Sequence, residues 1–144
     1  MQQKLFSLLV MLFSGLLAAA TASNSGNDLT VVLPNVKNTS GKIQIGLFNK
    51  AGDFPKTNRE FKTVTINAKQ GASYTFKNLP AGEYGIAVMH DENNNGKCDF
   101  TVLGIPKEGY GFSNNVKPKL SAPSFAAVKF QLKSNKKVSI NLIY

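Results

Sequence analysis

Apolar residues occupy every second position in seven short stretches that begin at Leu29 and continue almost to the end of the chain. Such alternation places the apolar side chains on one face of a half-buried strand. No window sustains the i, i+3, i+4, i+7 spacing of an amphipathic helix. The pattern therefore predicts an all-β chain of about seven strands, centred on residues 29–33, 43–47, 64–66, 74–76, 84–88, 128–132 and 138–142.

Gly, Pro and Asn residues separate these predicted strands, most densely at 38–41, 52–55, 69–71, 78–82 and 93–96. Short antiparallel strands with turns at such spacing are typical of a β-sandwich. The 144 residues suffice for one domain with its own core. The single Cys excludes an intramolecular disulfide framework and a Cys-rich zinc site. We therefore predict a single antiparallel, immunoglobulin-like β-sandwich.

The first 22 residues have the order of a secretory signal peptide. Lys4 precedes an apolar run, Leu5–Leu17, and small residues follow at 18–22. The run is shorter than the roughly 20 apolar residues that span a bilayer. We expect cleavage after Ala22, a β-sandwich domain over 23–144 without a transmembrane segment, and a periplasmic or secreted location. The alternative is an uncleaved membrane anchor.

A polar run follows the fifth predicted strand and reads D-x-N-x-N-G-x-x-D. This spacing matches positions 1, 3, 5, 6 and 9 of a calcium loop, in which alternate side-chain oxygens turn inward. Gly96 supplies the sharp turn, which directs the carbonyl oxygen of the next residue at the ion, while the ammonium group of that residue points away. The predicted calcium ligands are Asp91, Asn93, Asn95, Lys97 and Asp99.

The predicted calcium site is weak because it has few charged ligands. Val102 stands where a calcium loop has a bidentate Glu, and two of the ligands are neutral Asn side chains. Low ligand charge moves calcium affinity toward the roughly 10⁻⁴–10⁻³ M range of extracellular modules. The scarcity of charge suggests Glu108 as an additional ligand. The alternative is a metal-free turn, since Asn95-Gly96 is the preferred pair for a type I′ hairpin.

The segment from 100 to 123 interrupts the alternation and is too long and too rich in Gly, Pro and Asn for a hairpin connection. Long loops on a rigid scaffold often carry binding groups. One interpretation is a binding loop beside the polar run, formed by Tyr110, Phe112, Ser113 and Asn114. The other is a cover over one open end of the sandwich, which would bury Leu103, Ile105, Tyr110 and Phe112.

The candidate catalytic residues do not form a recognisable enzyme site. His90 is the only His, so a catalytic triad or a two-His metal site would depend on it alone. Ser113 lies outside a G-x-S-x-G motif, and no phosphate-binding loop is present. We therefore expect a non-enzymatic protein. Cys98 is interpreted as a small buried residue, with an intermolecular disulfide as the alternative.

A surplus of Lys residues gives the chain a formal net charge of +9. Lys129 and Lys133 alternate with apolar residues, so they are expected on a solvated outer face that protects a sheet edge. The alternative function is a metal-free envelope or adhesion module that binds anionic polymers through this Lys-rich face. Nucleic acid is not expected as a partner, because the chain is expected to be exported and its Lys residues are not interleaved with exposed aromatic ones.

Two motifs carry a resemblance to known families. The stretch 74–84 contains F-x-x-L-P-x-G-x-Y and resembles the strand-turn-strand of prealbumin-like and collagen-adhesin B-type sandwiches. The stretches HDENNNGKCDF and LGIPKEGYGFSNN resemble the signature of a bacterial family of small exported proteins, domain-of-unknown-function family 2141. The resemblance implies an exported prealbumin-like sandwich without an assigned activity. The family's polar loop is matched by Asp91, Asn93, Asn95, Gly96 and Asp99, and the loop after it by residues between 104 and 113.

Overall fold

The computed structural model describes residues 26–144. The predicted signal peptide, residues 1–22, lies outside the described residues. Within 26–144 the chain forms eight strands, one short α-helix and a 3-10 turn at Ser113–Asn115. In chain order they are β1 Asn27–Leu33, β2 Lys42–Phe48, β3 Lys62–Asn67, β4 Ala72–Leu79, β5 Gly82–Asp91, β6 Gly109–Phe112, α1 Phe125–Val128, β7 Phe130–Leu132 and β8 Lys136–Ser139.

The strands form two sheets. One has the order β4-β1-β8, and the other has the order β3-β2-β5-β6. Strand β7 pairs with the first three residues of β5, and β6 pairs with 87–90 of the same strand. This arrangement confirms the predicted all-β sandwich. The motif that suggested a prealbumin-like subtype connects β4 of one sheet to β5 of the other.

The main core lies between the two sheets and is built from the alternating apolar residues. Those of β1 and β2 are all completely buried, and those of β5 are at most 4% exposed. Alternation turns successive side chains to opposite faces, so one set per strand enters this core. Its members include Leu29, Val31, Leu33, Ile43, Ile45, Leu47, Ile86 and Val88.

A second apolar cluster covers the other face of the larger sheet. Phe54, from the connection after β2, lies at its centre. Its ring centroid is 5.1 Å from that of Phe48 and 6.0 Å from those of Phe112 and Phe125. Val128 completes the cluster and is completely buried. The larger sheet is therefore packed on both faces where β2, β5 and β6 lie side by side.

Strand β6 lies inside the segment where no strand was predicted. Its sequence is Gly-Tyr-Gly-Phe, and two glycines in four residues weaken the alternation signal. The glycines are needed because the C-terminal segment crosses close to this strand. A Cβ on Gly109 would collide with the ring of Tyr144, and a Cβ on Gly111 would lie 2.9 Å from a methyl carbon of Ile140.

The last predicted strand, 138–142, differs from the expectation in two ways. Strand β8 pairs with β1 in parallel, whereas the sandwich was predicted to be antiparallel. The chain then passes from one sheet to the other: Ile140 donates its N–H to Val32, and Ile143 bridges to Tyr110 of β6. The predicted strand 128–132 begins later than expected, because Val128 ends α1 and packs in the second cluster.

Candidate functional site

Asp91 is the last residue of β5 and is only 3% exposed. Its carboxylate accepts two backbone N–H groups of the loop that follows, from Asn95 at 3.1 Å and from Gly96 at 2.8 Å. Gly96 has a φ of +73°, in the left-handed region that glycine adopts at little cost. The carboxylate therefore folds the polar loop, residues 91–99, back over the end of the strand.

Asn93 and Asn95 converge with Asp99 in the same loop. The side-chain amides of both Asn residues donate to one oxygen, Oδ2 of Asp99, at 2.7 and 2.8 Å. Their own Oδ1 atoms accept the backbone N–H of the residue two positions later, at 3.0 and 2.8 Å. These local bonds are the reason that Asn suits a tight polar loop. The structure thus links the side chains of Asn93, Asn95 and Asp99, and Asp91 binds the backbone of the same loop.

Glu108 lies nine residues after Asp99 in the chain, yet its side chain packs against the polar loop and is only 5% exposed. One carboxylate oxygen accepts the N–H of Glu92 at 3.1 Å, and the other accepts the N–H of Asp99 at 3.3 Å. Glu92 in turn accepts a hydrogen bond of 2.7 Å from the side-chain amide of Asn38. Glu108 therefore connects the beginning and the end of the polar loop.

Lys97 and Cys98 lie between these acidic groups. The side chain of Lys97 is exposed, and its N–H donates to Asn95. Cys98 is a half-buried free thiol. Burial raises the pKa of the Cys98 thiol, and the neighbouring Glu108 and Asp99 carboxylates raise it further. The raised pKa therefore reflects burial first, with the negative charge at the base of the polar loop adding to it.

The donor groups of the polar loop are carboxylate, amide and backbone oxygens, which suit a hard cation such as calcium. Within residues 26–144, no three His, Cys, Asp or Glu side chains form a metal-holding cluster. A cation at this loop would therefore depend on amide and carbonyl oxygens beside Asp91 and Asp99. The two Asn amide groups now supply the partial positive charge that faces Asp99.

Two of the four residues of the predicted binding loop are buried, one is half-buried and one, Asn114, is exposed. Phe112 belongs to the second apolar cluster. Ser113 is completely buried; its hydroxyl donates to the carbonyl of Val128 at 2.6 Å and accepts the N–H of Ile86 at 2.9 Å. Asn114 holds the backbone on either side of Val128, since its amide donates to the carbonyls at 127 and 129. Tyr110 is half-buried. Ser113 therefore joins α1 to β5, and Asn114 holds the end of α1 and the residue after it.

The exposed part of the long segment is a small hairpin, residues 99–107, which we call the apolar hairpin. Backbone hydrogen bonds join its two sides, from Lys107 to Asp99 and from Thr101 to Ile105, both at 2.8 Å. Leu103 is 86% exposed and Ile105 is 57% exposed, so neither covers the end of the sandwich. Of the four residues predicted to be buried, Phe112 is buried and Tyr110 is half-buried. Leu103 and Ile105 could not be distinguished from core residues in the sequence, because an exposed apolar segment and a buried one have the same composition.

The Lys-rich surface divides into two parts. Lys129 lies 2.9 Å from the carboxylate of Glu83, so its charge is paired on the surface. Lys77, Lys136 and Lys137 instead line a shallow groove on the outer face of the smaller sheet. This groove brings together three Lys residues that lie outside the strand at 128–132, on which the sequence pattern had placed the basic face.

His90 is completely buried and has a partner at each ring nitrogen. Nε2 lies 2.8 Å from the carbonyl of Ser40, and Nδ1 lies 2.9 Å from the hydroxyl of Tyr144. A carbonyl can only accept, so Nε2 carries a proton and donates to Ser40, while Nδ1 shares a hydrogen bond with the Tyr144 hydroxyl. The same hydroxyl accepts the N–H of Lys37. His90 therefore connects the end of β5 to Tyr144, and both of its ring nitrogens are hydrogen-bonded.

Among residues 26–144, no helix has the length and apolar character needed to cross a bilayer. No curated protein and no solved structure matches the chain. A family model does match, over residues 31–141, which include every strand after the first part of β1, the polar loop and the apolar hairpin. The chain therefore belongs to the family described as "Uncharacterized protein conserved in bacteria (DUF2141)".

Proposed function

We propose that this protein is an exported, non-enzymatic β-sandwich whose polar loop binds a calcium-type cation and thereby orders the adjoining apolar hairpin. The observation that carries the proposal is that one short loop gathers the carboxylates of Asp91 and Asp99 with two Asn side chains, whose amides lie 2.7 and 2.8 Å from Asp99 and whose oxygens face the loop backbone. Asp91 anchors the loop in which they meet. A plain two-residue turn requires neither carboxylates at both ends nor paired amides between them.

The proposed ligands are those predicted from the sequence: the side chains of Asp91, Asn93, Asn95 and Asp99, and the backbone carbonyl of Lys97. Each amide or carboxylate oxygen has two lone pairs, so an oxygen that accepts an N–H can also face a cation. Glu108 contributes negative charge at the base of the loop and keeps its two ends together. Bound calcium would supply the positive charge that balances these carboxylates.

Asp99 connects the proposed cation site to the apolar hairpin, because it belongs to both the polar loop and the hairpin. Its carboxylate faces the polar loop, and its carbonyl accepts the N–H of Lys107 across the hairpin. A cation that fixes Asp99 would therefore also fix the base of the hairpin. Such binding stabilises the folded chain by mass action once calcium exceeds its dissociation constant.

Export through a cleaved signal peptide, to the periplasm or the medium, is part of the same proposal. It is supported by the order of Lys4, the apolar run Leu5–Leu17 and the small residues at 18–22. Calcium at millimolar concentration is met more readily outside the cytoplasm, where weak extracellular calcium modules work.

Thermal unfolding in millimolar calcium and in chelator tests the cation proposal. The parent chain is expected to melt a few degrees higher in calcium. Calcium at about ten times its dissociation constant adds about 1.4 kcal/mol to the free energy of unfolding. Asp99→Asn keeps the shape of the side chain, removes one charge and should lose most of this shift. Asp53→Asn, which alters a carboxylate 3.9 Å from Arg59 on the surface, is the matched control and should keep it. No shift in the parent would refute the proposal.

A second candidate function uses the groove lined by Lys77, Lys136 and Lys137. Three cations face one acid, Asp28, in this groove, and such an excess attracts anionic polymers of the envelope. The double variant Lys136→Gln/Lys137→Gln should lose salt-sensitive retention on a polyanionic resin. Lys129→Gln is the control, because Lys129 is already paired with Glu83.

A further inference from the structure

Asn95-Gly96 is the one Asn-Gly pair in the whole sequence, and it lies within the polar loop. In such a pair the backbone nitrogen of the glycine can attack the Asn side chain, because glycine has no Cβ to obstruct the approach. Both residues are exposed, so water reaches them. A Cβ on Gly96 would meet nothing within 4 Å, so neighbouring parts of the chain leave this space open. The pair is therefore a candidate for a covalent change.

The side chain of Asn95 is folded over the peptide bond that joins it to Gly96. Its Oδ1 accepts the N–H of Lys97 at 2.8 Å, which closes a turn around Gly96 and keeps the side-chain carbonyl near the Gly96 nitrogen. A hydrogen bond to this oxygen also stabilises the negative charge that the oxygen acquires when its carbon is attacked. The N–H of Lys97 therefore both positions and polarises the carbonyl.

The nitrogen of Gly96 is held by a carboxylate. Its N–H donates to Oδ2 of Asp91 at 2.8 Å, and Asp91 is only 3% exposed. A proton must leave this nitrogen when the nitrogen forms a new bond, and a base within hydrogen-bond reach can accept it. Asp91 thus faces the nucleophile while Lys97 faces the group that is attacked. This placement favours a reaction within the chain.

We propose that Asn95 is a modification site, at which the chain converts its own side-chain amide to a carboxylate. The Gly96 nitrogen attacks the side-chain carbonyl carbon and gives its proton to Asp91, and the bond from that carbon to the side-chain nitrogen breaks. The side-chain nitrogen takes up the proton and leaves as ammonia, so a cyclic imide remains. Water then opens the imide at either carbonyl, which gives aspartate or isoaspartate. No electron is transferred, and water is the co-reactant.

The conversion changes the polar loop. The amide of Asn95 that donates to Asp99 at 2.8 Å becomes a carboxylate, so repulsion between like charges replaces a hydrogen bond. Isoaspartate also adds a methylene group to the backbone, which moves the Gly96 N–H relative to Asp91. Both products should loosen the loop when no cation is present. At the proposed cation site a charged ligand would replace a neutral one, and this consequence alone rests on the proposed function.

Incubation of the full chain in warm neutral buffer, followed by peptide mass spectrometry, tests the proposal. All samples contain chelator, so failure of the cation proposal leaves the result unaffected. Asn93 is the internal control, because its Oδ1 also accepts the N–H two positions later and its amide also donates to Asp99. The residue that follows it, Asn94, carries a side chain. Conversion should be at least about tenfold faster at Asn95 than at Asn93, since the open approach lowers the barrier.

Two variants test the groups assigned to the reaction. Gly96→Asn keeps a residue that tolerates the left-handed φ of +73° but places a side chain beside the attacking nitrogen. It should slow the conversion at least about tenfold. Asp91→Asn should slow the conversion in the folded chain and leave the rate in urea unchanged, because unfolding separates Asp91 from the Gly96 nitrogen.

The charge of the product has its own readout, which remains valid if Asp91→Asn fails to fold. Conversion adds one negative charge, so the incubated parent should contain a fraction that is retained more weakly on a cation-exchange resin. Asn95→Asp, which reproduces the aspartate product, should be retained like this fraction and should melt below the fresh parent in chelator.

Three results would overturn the proposal. The first is a parent chain that keeps its amide at Asn95 throughout the incubation. The second is conversion at equal rates at Asn93 and Asn95. The third is an Asp91→Asn variant that converts as fast as the folded parent or faster, which would show that Asp91 holds the loop against the reaction.

Discussion

The carboxylate of Glu108 accepts the backbone N–H of Glu92 at 3.1 Å, across sixteen residues of sequence. Its other oxygen accepts the N–H of Asp99. The buried carboxylate of Glu108 therefore replaces backbone pairing where β5 ends and the polar loop begins. The polar loop and the apolar hairpin share this anchor, so a change at Glu108 acts on both.

Glu108→Gln should destabilise the folded chain by about 1–3 kcal/mol. The substitution places an amide N–H₂ group against a backbone N–H and leaves one partly buried donor unpaired. The free energy of unfolding in urea measures the effect. Glu83→Gln is the control, because Glu83 forms an exposed pair with Lys129 that contributes about 1 kcal/mol or less. Equal losses in the two variants would contradict the anchoring role of Glu108.

Asn93→Asp should have opposite effects with and without calcium. Without calcium it replaces an amide-to-carboxylate hydrogen bond of 2.7 Å with two facing carboxylates, the new one and that of Asp99, so the melting temperature should fall. With calcium the added charged ligand should tighten binding, and the calcium-induced rise in melting temperature should exceed that of the parent. A rise no larger than that of the parent would argue against coordination at this position.

The alkylation of Cys98 by iodoacetamide should begin at a higher pH in the folded chain than in the chain unfolded by urea. Burial, Glu108 and Asp99 raise the pKa of this thiol, so less thiolate is present at any given pH. The midpoint of the rate against pH, and not the rate itself, is the measurement, because steric protection lowers the rate at every pH. Asp99→Asn should move the midpoint down. Coincident midpoints for folded and unfolded chains would contradict the expectation.

Gly109→Ala should destabilise the chain by about 1–3 kcal/mol through overpacking. The new methyl group would collide with the ring of Tyr144, which packs edge-to-face on His90 with the ring centroids 5.9 Å apart. Gly52→Ala is the control, since a Cβ there meets nothing within 4 Å. Adding Tyr144→Ala to the Gly109 variant should remove most of the extra cost in a double-mutant cycle measured by urea unfolding. Additive costs would show that the ring is not the obstacle.

The strands that carry the main core could be predicted because their signal is local. Each needs only alternate apolar residues over a few neighbouring positions, and Ile43, Ile45 and Leu47 show that these positions are the buried ones. The polar loop could be predicted in the same way, because Asp91 and Asp99 lie close in sequence and the residues between them are close enough to hydrogen-bond to them. Such features depend on neighbours along the chain.

Neither strand β6 nor the burial of Ser113 could be predicted from a local pattern in the sequence. Gly109 and Gly111 are glycines because Tyr144 and Ile140 pass over them, and those residues lie far away in sequence. Ser113 resembles an exposed loop residue, yet its hydroxyl pairs with backbone groups of β5 and of α1. Both depend on long-range contacts that no local pattern encodes.

By itself the sequence determined the all-β class, the number of core strands to within one, and the position of the polar loop, because alternation and the spacing of polar residues are short-range properties. Only the tertiary structure decided that Glu108 closes this loop, that Phe112 is buried and that Leu103 is exposed. The physical reason is that burial and charge pairing are set by what the folded chain brings against a residue. Two apolar residues of the same long segment, Leu103 and Phe112, therefore have opposite surroundings.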